Sequence, residues 1–113
     1  MKNFNFKSVT TTKEASKLIS GRATFLAGGM TLIPAIKLRL AAYSDIINIK
    51  KIKGLSGIKV SSKSLKIGAT TTHAEVSASK EVRKSISSLS DLAEGIGDPQ
   101  VRNRGTIGGS IAN

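Results

Sequence analysis

The sequence has no cysteine, no tryptophan and one histidine, His73. Without cysteine the chain cannot form a disulfide, ligate an iron–sulfur cluster or hold zinc through thiolates. One histidine cannot assemble a histidine metal site, so no metal ligands are expected. Aromatic residues are limited to Phe4, Phe6, Phe25 and Tyr43, too few for the stacking platform that holds single-stranded nucleic acid. No stretch approaches the roughly 20 apolar residues that span a bilayer. Met1-Lys2-Asn3-Phe4-Asn5-Phe6-Lys7 lacks the apolar run of a signal peptide, so a cytoplasmic protein with no membrane span is expected. Acidic residues are also scarce, 7 against 18 lysines and arginines, for a net charge of +11. None lies between Asp45 and Glu75, where Lys50, Lys51, Lys53, Lys59, Lys63 and Lys66 all fall. Such a face suits a polyanion or an acidic subunit, but no groove-reading motif accompanies it, and no nucleic-acid partner is expected.

What the 113 residues do contain is enough apolar content, 39%, for a small core. Two diglycine segments also stand out, Ala27-Gly28-Gly29-Met30-Thr31-Leu32-Ile33-Pro34 and Gly105-Thr106-Ile107-Gly108-Gly109-Ser110-Ile111-Ala112. Each Gly pair is followed by a hydroxyl residue, Thr31 after Met30 and Ser110 directly, and then apolar residues. A Gly pair lets backbone approach a ligand closely, and successive N–H groups in a loop make an anion-binding concavity. Two such loops suit the two halves of a pyrophosphate. Neither matches G-x-G-x-x-G, and neither carries the lysine of a P-loop.

Taken in order, Phe4 and Phe6 alternate with polar residues as a short strand does. Thr11 and Glu14 are spaced as a capping box before a helix with Ala15, Leu18 and Ile19 on its apolar face, ended by Gly21. Ala23–Ala27 reads as a second strand running into Gly28-Gly29. Leu32, Ile33, Ile36 and Leu40 have helical spacing, Pro34 is tolerable in a first turn, and Lys37 and Arg39 sit near that helix's far end. Asp45–Ile49 is a third strand. This is the rhythm of a parallel α/β unit, in which ligands bind beyond the carboxyl ends of strands.

From Leu55 the pattern changes. Ile58 and Val60, then Leu65 and Ile67, alternate around Ser61-Ser62-Lys63-Ser64 as an antiparallel hairpin with one wet face. Thr72-His73-Ala74-Glu75 is a second capping box. His73 is read as an exposed first-turn residue and not a catalytic base, since no paired acid or nucleophile accompanies it. Ile86, Leu89, Leu92, Ala93 and Ile96 predict one amphipathic helix stopped by Gly97-Asp98-Pro99. The expected division is 1–54, an α/β subdomain, and 55–113, the start of an α+β subdomain.

Three runs carry a resemblance: Leu26-Ala27-Gly28-Gly29-Met30-Thr31-Leu32-Ile33-Pro34, Ile67-Gly68-Ala69-Thr70-Thr71-Thr72, and Gly97-Asp98-Pro99-Gln100-Val101-Arg102-Asn103-Arg104-Gly105-Thr106-Ile107-Gly108-Gly109-Ser110. In this order they closely resemble the FAD-binding subunit of molybdenum hydroxylases, nearest in look to carbon monoxide dehydrogenase medium subunits, with xanthine dehydrogenase FAD domains behind. The resemblance spans essentially the whole chain. It implies a PCMH-type FAD-binding fold, here incomplete, because the family chain continues past the second loop and this one matches its N-terminal part. It implies FAD as cofactor, bound by Ala27, Gly28, Gly29, Met30 and Thr31 in one loop and by Thr106, Ile107, Gly108, Gly109 and Ser110 in the other. Thr31, Thr106 and Ser110 would be auxiliary hydroxyl donors, with Thr70 and Thr71 near the cofactor. Arg102 faces the cofactor region or another subunit, or is a surface charge. The implied partners are a molybdopterin-containing large subunit and an iron–sulfur small subunit, in a dimer of heterotrimers. Electrons would reach FAD from the iron–sulfur clusters and leave to an external acceptor, so no catalytic acid–base residue is expected here. Two other readings stay open, a stand-alone flavin oxidase or reductase of the vanillyl-alcohol oxidase type and a basic nucleic-acid-binding module.

Overall fold

In a computed structural model, residues 3–112 are described, and the chain divides into two compact units, Met1–Lys53 and Gly54–Asn113. The first contains β1 (Asn5–Ser8), α1 (Thr12–Leu18), β2 (Ala23–Leu26), α2 (Leu32–Lys37) and β3 (Asp45–Asn48). All pairings are parallel and the strand order is β1-β3-β2. The crossover from β1 to β2 therefore runs opposite to that from β2 to β3. Right-handed connections then put α1 and α2 on opposite faces. β3 is correspondingly buried on both sides, with Ile46 and Ile47 both buried although they alternate in direction. Leu26, Ile36 and Ile46 form a core to which Phe4, Leu32 and Tyr43 add partly buried surface.

Two local expectations change in this unit. At α1, the Thr11 side chain accepts the Glu14 N–H at 3.1 Å. The Glu14 carboxylate, however, takes the N–H of Thr10 at 3.4 Å, so the box closes one residue early. α2 stops at Lys37, well short of Leu40, which is 78% exposed. Its end is a Schellman turn. The Leu40 N–H reaches the Ala35 carbonyl at 2.9 Å and the Arg39 N–H reaches that of Ile36 at 3.1 Å, with Arg39 at φ +59° where glycine is usual. Arg39 is thus a left-handed cap, not a helical residue complementing the dipole.

The second unit begins with β4 (Ile58–Val60) and β5 (Leu65–Ile67), paired antiparallel as the alternation predicts. Five short helices follow: α3 (His73–Ala78), α4 (Lys80–Ser85), α5 (Ser87–Glu94), α6 (Pro99–Arg104) and α7 (Ile107–Ala112). Val76, Val82 and Ala93 form the core, against which Ile58, Leu65, Ile67, Leu89 and Ile107 pack. The Ser90 hydroxyl, fully buried, donates to the Ser77 carbonyl at 2.9 Å and ties α5 to α3. The mixture of a small parallel sheet with an antiparallel pair is the α/β plus α+β architecture expected.

The helices are more numerous and shorter than periodicity suggests. The Ile86–Ile96 pattern yields only α5, because Ile86 is its N-cap residue and Leu92 is 65% exposed. Asp98-Pro99, read as a stop, is a start: Asp98 accepts the Val101 N–H at 2.8 Å and Pro99 opens α6. Among the described residues, no helix is long and apolar enough to cross a membrane.

Candidate functional site

The first diglycine segment leaves the sheet at the carboxyl end of β2. The Ile49 N–H donates to the Leu26 carbonyl at 3.0 Å, and the chain then turns through Ala27 and the buried Gly28. Gly29 has φ +76°, and a Cβ there would lie 2.7 Å from Ile33 Cδ1, so both conformation and space favour glycine. The carbonyls of Gly29 and Thr31 accept the N–H groups of Ile33 and Ala35, each at 3.1 Å, which sets the loop directly on α2. Among the described residues, the N–H groups of Gly28, Gly29, Met30 and Thr31 have no backbone acceptor. The Thr31 hydroxyl makes no capping bond, and Thr31 and Met30 are both exposed. Beside this loop, buried Asn48 at the end of β3 donates to the Ser8 hydroxyl at 3.2 Å and accepts the Lys50 N–H at 3.1 Å, tying the neighbouring strand ends together.

The second segment departs from its expected form. It is not a loop, because Ile107, Gly108, Gly109 and Ser110 all lie in α7. Their N–H groups are all occupied: Ile107 donates to Thr71 O at 3.0 Å, Gly108 to Ala69 O at 2.8 Å, Gly109 to Thr106 Oγ1 at 3.0 Å and Ser110 to Thr106 O at 3.1 Å. Thr106, buried, thus caps the helix by accepting through its side-chain oxygen. A Cβ on Gly108 would sit 2.6 Å from Ala69 O and 2.7 Å from Ala69 Cβ. This glycine serves close packing of two main chains, not N–H presentation. Ser110 and Gly109 are exposed.

His73 also differs from expectation. It is only 5% exposed, its N–H donates to the Gly105 carbonyl at 3.0 Å, and its Nε2 lies 2.9 Å from Ser110 Oγ. Burial holds the imidazole below its ordinary pKa. The first-turn position itself is as expected, since Thr72 and Glu75 form a complete capping box. Thirty-seven residues separate His73 from Ser110, so no local spacing signals the contact. Thr70 and Thr71 are buried, and their hydroxyls donate to the carbonyls of Leu55 at 2.8 Å and Gly57 at 3.2 Å. Arg102 closes the turn after α5, donating to Ile96 O at 3.2 Å and Gly97 O at 3.0 Å.

A diglycine turn between a strand and a helix, whose main-chain N–H groups meet no backbone acceptor among the described residues, has the donors that an anionic ligand needs. Residues 2–113 match the family described as the FAD binding domain in molybdopterin dehydrogenase. The chain belongs to that family, whose relatives here are subunits of dehydrogenase complexes. It is 41% identical over 91 residues to the 6-hydroxypseudooxynicotine dehydrogenase complex subunit alpha of Paenarthrobacter nicotinovorans, covering 80% of this chain and 31% of that protein. Over a stretch of the same length it is 44% identical to the carbon monoxide dehydrogenase medium chain of Hydrogenophaga pseudoflava, covering 80% of this chain and 32% of that one. A solved carbon monoxide dehydrogenase from Hydrogenophaga pseudoflava superposes with a TM-score of 0.96 at 38% identity, over 98% of this chain and 40% of that chain. The chain thus spans about a third of the length of the curated relatives it matches.

Proposed function

We propose that this chain provides the FAD-binding part of the flavin subunit of a molybdenum hydroxylase. The observation that carries the reading is the row of N–H groups from Gly28 to Thr31 with no backbone acceptor among the described residues, in a chain that matches the FAD-binding family along nearly its whole length. Diphosphate oxygens are acceptors only, and consecutive unpaired N–H groups on a glycine turn suit them. The residues therefore fit the cofactor at this segment. Ala27, Gly28, Gly29, Met30 and Thr31 hold it mainly through main chain, and the exposed Thr31 hydroxyl adds a donor. Thr106, Ile107, Gly108, Gly109 and Ser110 contribute as the start of α7 and its cap, with the exposed Ser110 hydroxyl as the polar contact.

When bound, FAD would supply the redox chemistry, the electron relay between iron–sulfur clusters of a small subunit, themselves fed by a molybdopterin-containing large subunit, and an external acceptor. This chain binds and orients. The relatives' names, a complex subunit alpha and a medium chain, support such partners, and the lysine-rich stretch from Lys50 to Lys66 suits an acidic subunit face. Purification of the full-length protein with its neighbours tests the reading: bound FAD released on denaturation is expected, with loss of retention in Gly29→Ala. A flavin-free protein that takes up no added FAD would overturn it.

A further inference from the structure

We propose that His73 is a positioning residue that fixes the Ser110 hydroxyl as an outward-facing hydrogen-bond donor to a phosphate oxygen of FAD. This rests on the reading of Ser110 as a cofactor contact given above. Three observations converge on it. The imidazole is nearly fully buried, yet its Nε2 reaches an exposed serine at 2.9 Å. The residue is anchored beside that contact: its main-chain N–H donates to the Gly105 carbonyl, and a Cβ on Gly105 would lie 3.1 Å from His73 Cδ2, so glycine there admits the ring edge. The Ser110 main chain is also fixed, its N–H bonded to Thr106 O, which leaves the hydroxyl proton as the group still to be directed.

Chemistry selects the direction. A serine hydroxyl has one proton and two lone pairs. If Nε2 accepted that proton, Ser110 would turn lone pairs outward and repel an anion. If Nε2–H donates to Oγ, the hydroxyl proton is free to face an acceptor-only oxygen. A phosphate ligand therefore selects the Nε2–H tautomer. The competing use of a Ser–His pair, nucleophilic attack, needs the opposite tautomer and a carboxylate on Nδ1. Among the described residues no carboxylate bonds His73, and the nearest in sequence, Glu75, is bound to the N–H and hydroxyl of Thr72 at 3.2 and 3.0 Å.

The test uses the full-length protein, with FAD affinity read by quenching of flavin fluorescence for wild type, Ser110→Ala, His73→Ala, His73→Gln and the double alanine variant. Ser110→Ala and His73→Ala are each expected to weaken binding by about ten- to a hundredfold, the effect of one hydrogen bond to a charged group. The double variant should be no weaker than Ser110→Ala alone. His73→Gln, which keeps a side-chain N–H donor, should recover most of the loss. Nitrogen-15 NMR of the FAD-loaded protein should show Nε2 protonated, a readout that survives if His73→Ala fails to fold. Wild-type FAD binding with unchanged affinity in a folded His73→Ala, additive losses in the double variant, or an Nδ1–H tautomer would each overturn the His73 assignment while leaving the flavin reading intact. A wild-type protein that binds no FAD overturns both.

Discussion

After β2, the N–H groups from Gly28 to Thr31 meet no backbone acceptor among the described residues, whereas those from Ile107 to Ser110 are each bonded within the chain. The two segments share a Gly-Gly pair and a following hydroxyl, yet glycine serves different ends in them. At Gly29 it permits a left-handed turn that leaves main-chain donors open to a ligand. At Gly108 it permits α7 to lie against Ala69 with no room for a methyl group. Composition alone does not separate a binding turn from a packing contact. The acceptors supplied by residues distant in sequence do.

Mutations can break or sharpen that contrast. The largest effect is expected for Gly108→Ala, whose methyl meets backbone and not a flexible tip; overpacking of this kind costs about 1–3 kcal/mol, read as a lowered urea midpoint. A stability unchanged from wild type would remove the packing role. Gly29→Ala follows, at about 1–2 kcal/mol for the left-handed conformation. Its mark should be weaker FAD retention beyond the stability loss, whereas Gly108→Ala should lose cofactor only as far as it unfolds. Thr106→Ala removes the side-chain cap of α7 and should cost about 1 kcal/mol. Thr31→Ala removes no capping bond and should change stability by less than about 0.5 kcal/mol while still reducing FAD affinity. If Thr31→Ala instead matched Thr106→Ala in chemical denaturation, the two hydroxyls would not differ as described.

The last effect vanishes at neutral pH. Because burial lowers the folded-state pKa of His73, folding favours the neutral ring. Its contribution is complete above the unfolded-state value of about 6.5 and is lost as pH falls below that value toward the folded-state one. Urea midpoints of wild type should therefore drop more steeply below pH 6.5 than those of His73→Gln. Parallel curves would show that His73 carries no such linkage.

Much of the first unit was legible because its signals are local. Short apolar runs, a cap at Thr11 and the Gly28-Gly29 turn all act over a few residues, and parallel pairing follows from strands that alternate with helices. The second unit was less so. Asp98-Pro99 supports either a stop or a start, and only the Val101 N–H donating to Asp98 decides for a start. Leu92 has helical spacing with its apolar neighbours yet faces solvent, since short helices bury a narrower stripe than periodicity implies. For the site, the residue types of both diglycine segments could be named, but the occupied N–H groups of α7 and the burial of His73 could not.

The sequence by itself determined where glycine, hydroxyl and capping residues fall, and with them the strand–turn–helix order and the family, because these depend on covalent geometry and on neighbours three or four residues away. Only the tertiary structure decided which donors stay free and which histidine nitrogen meets which hydroxyl. Those depend on acceptors such as Ala69, Thr71 and Gly105, which long-range packing brings to His73 and α7.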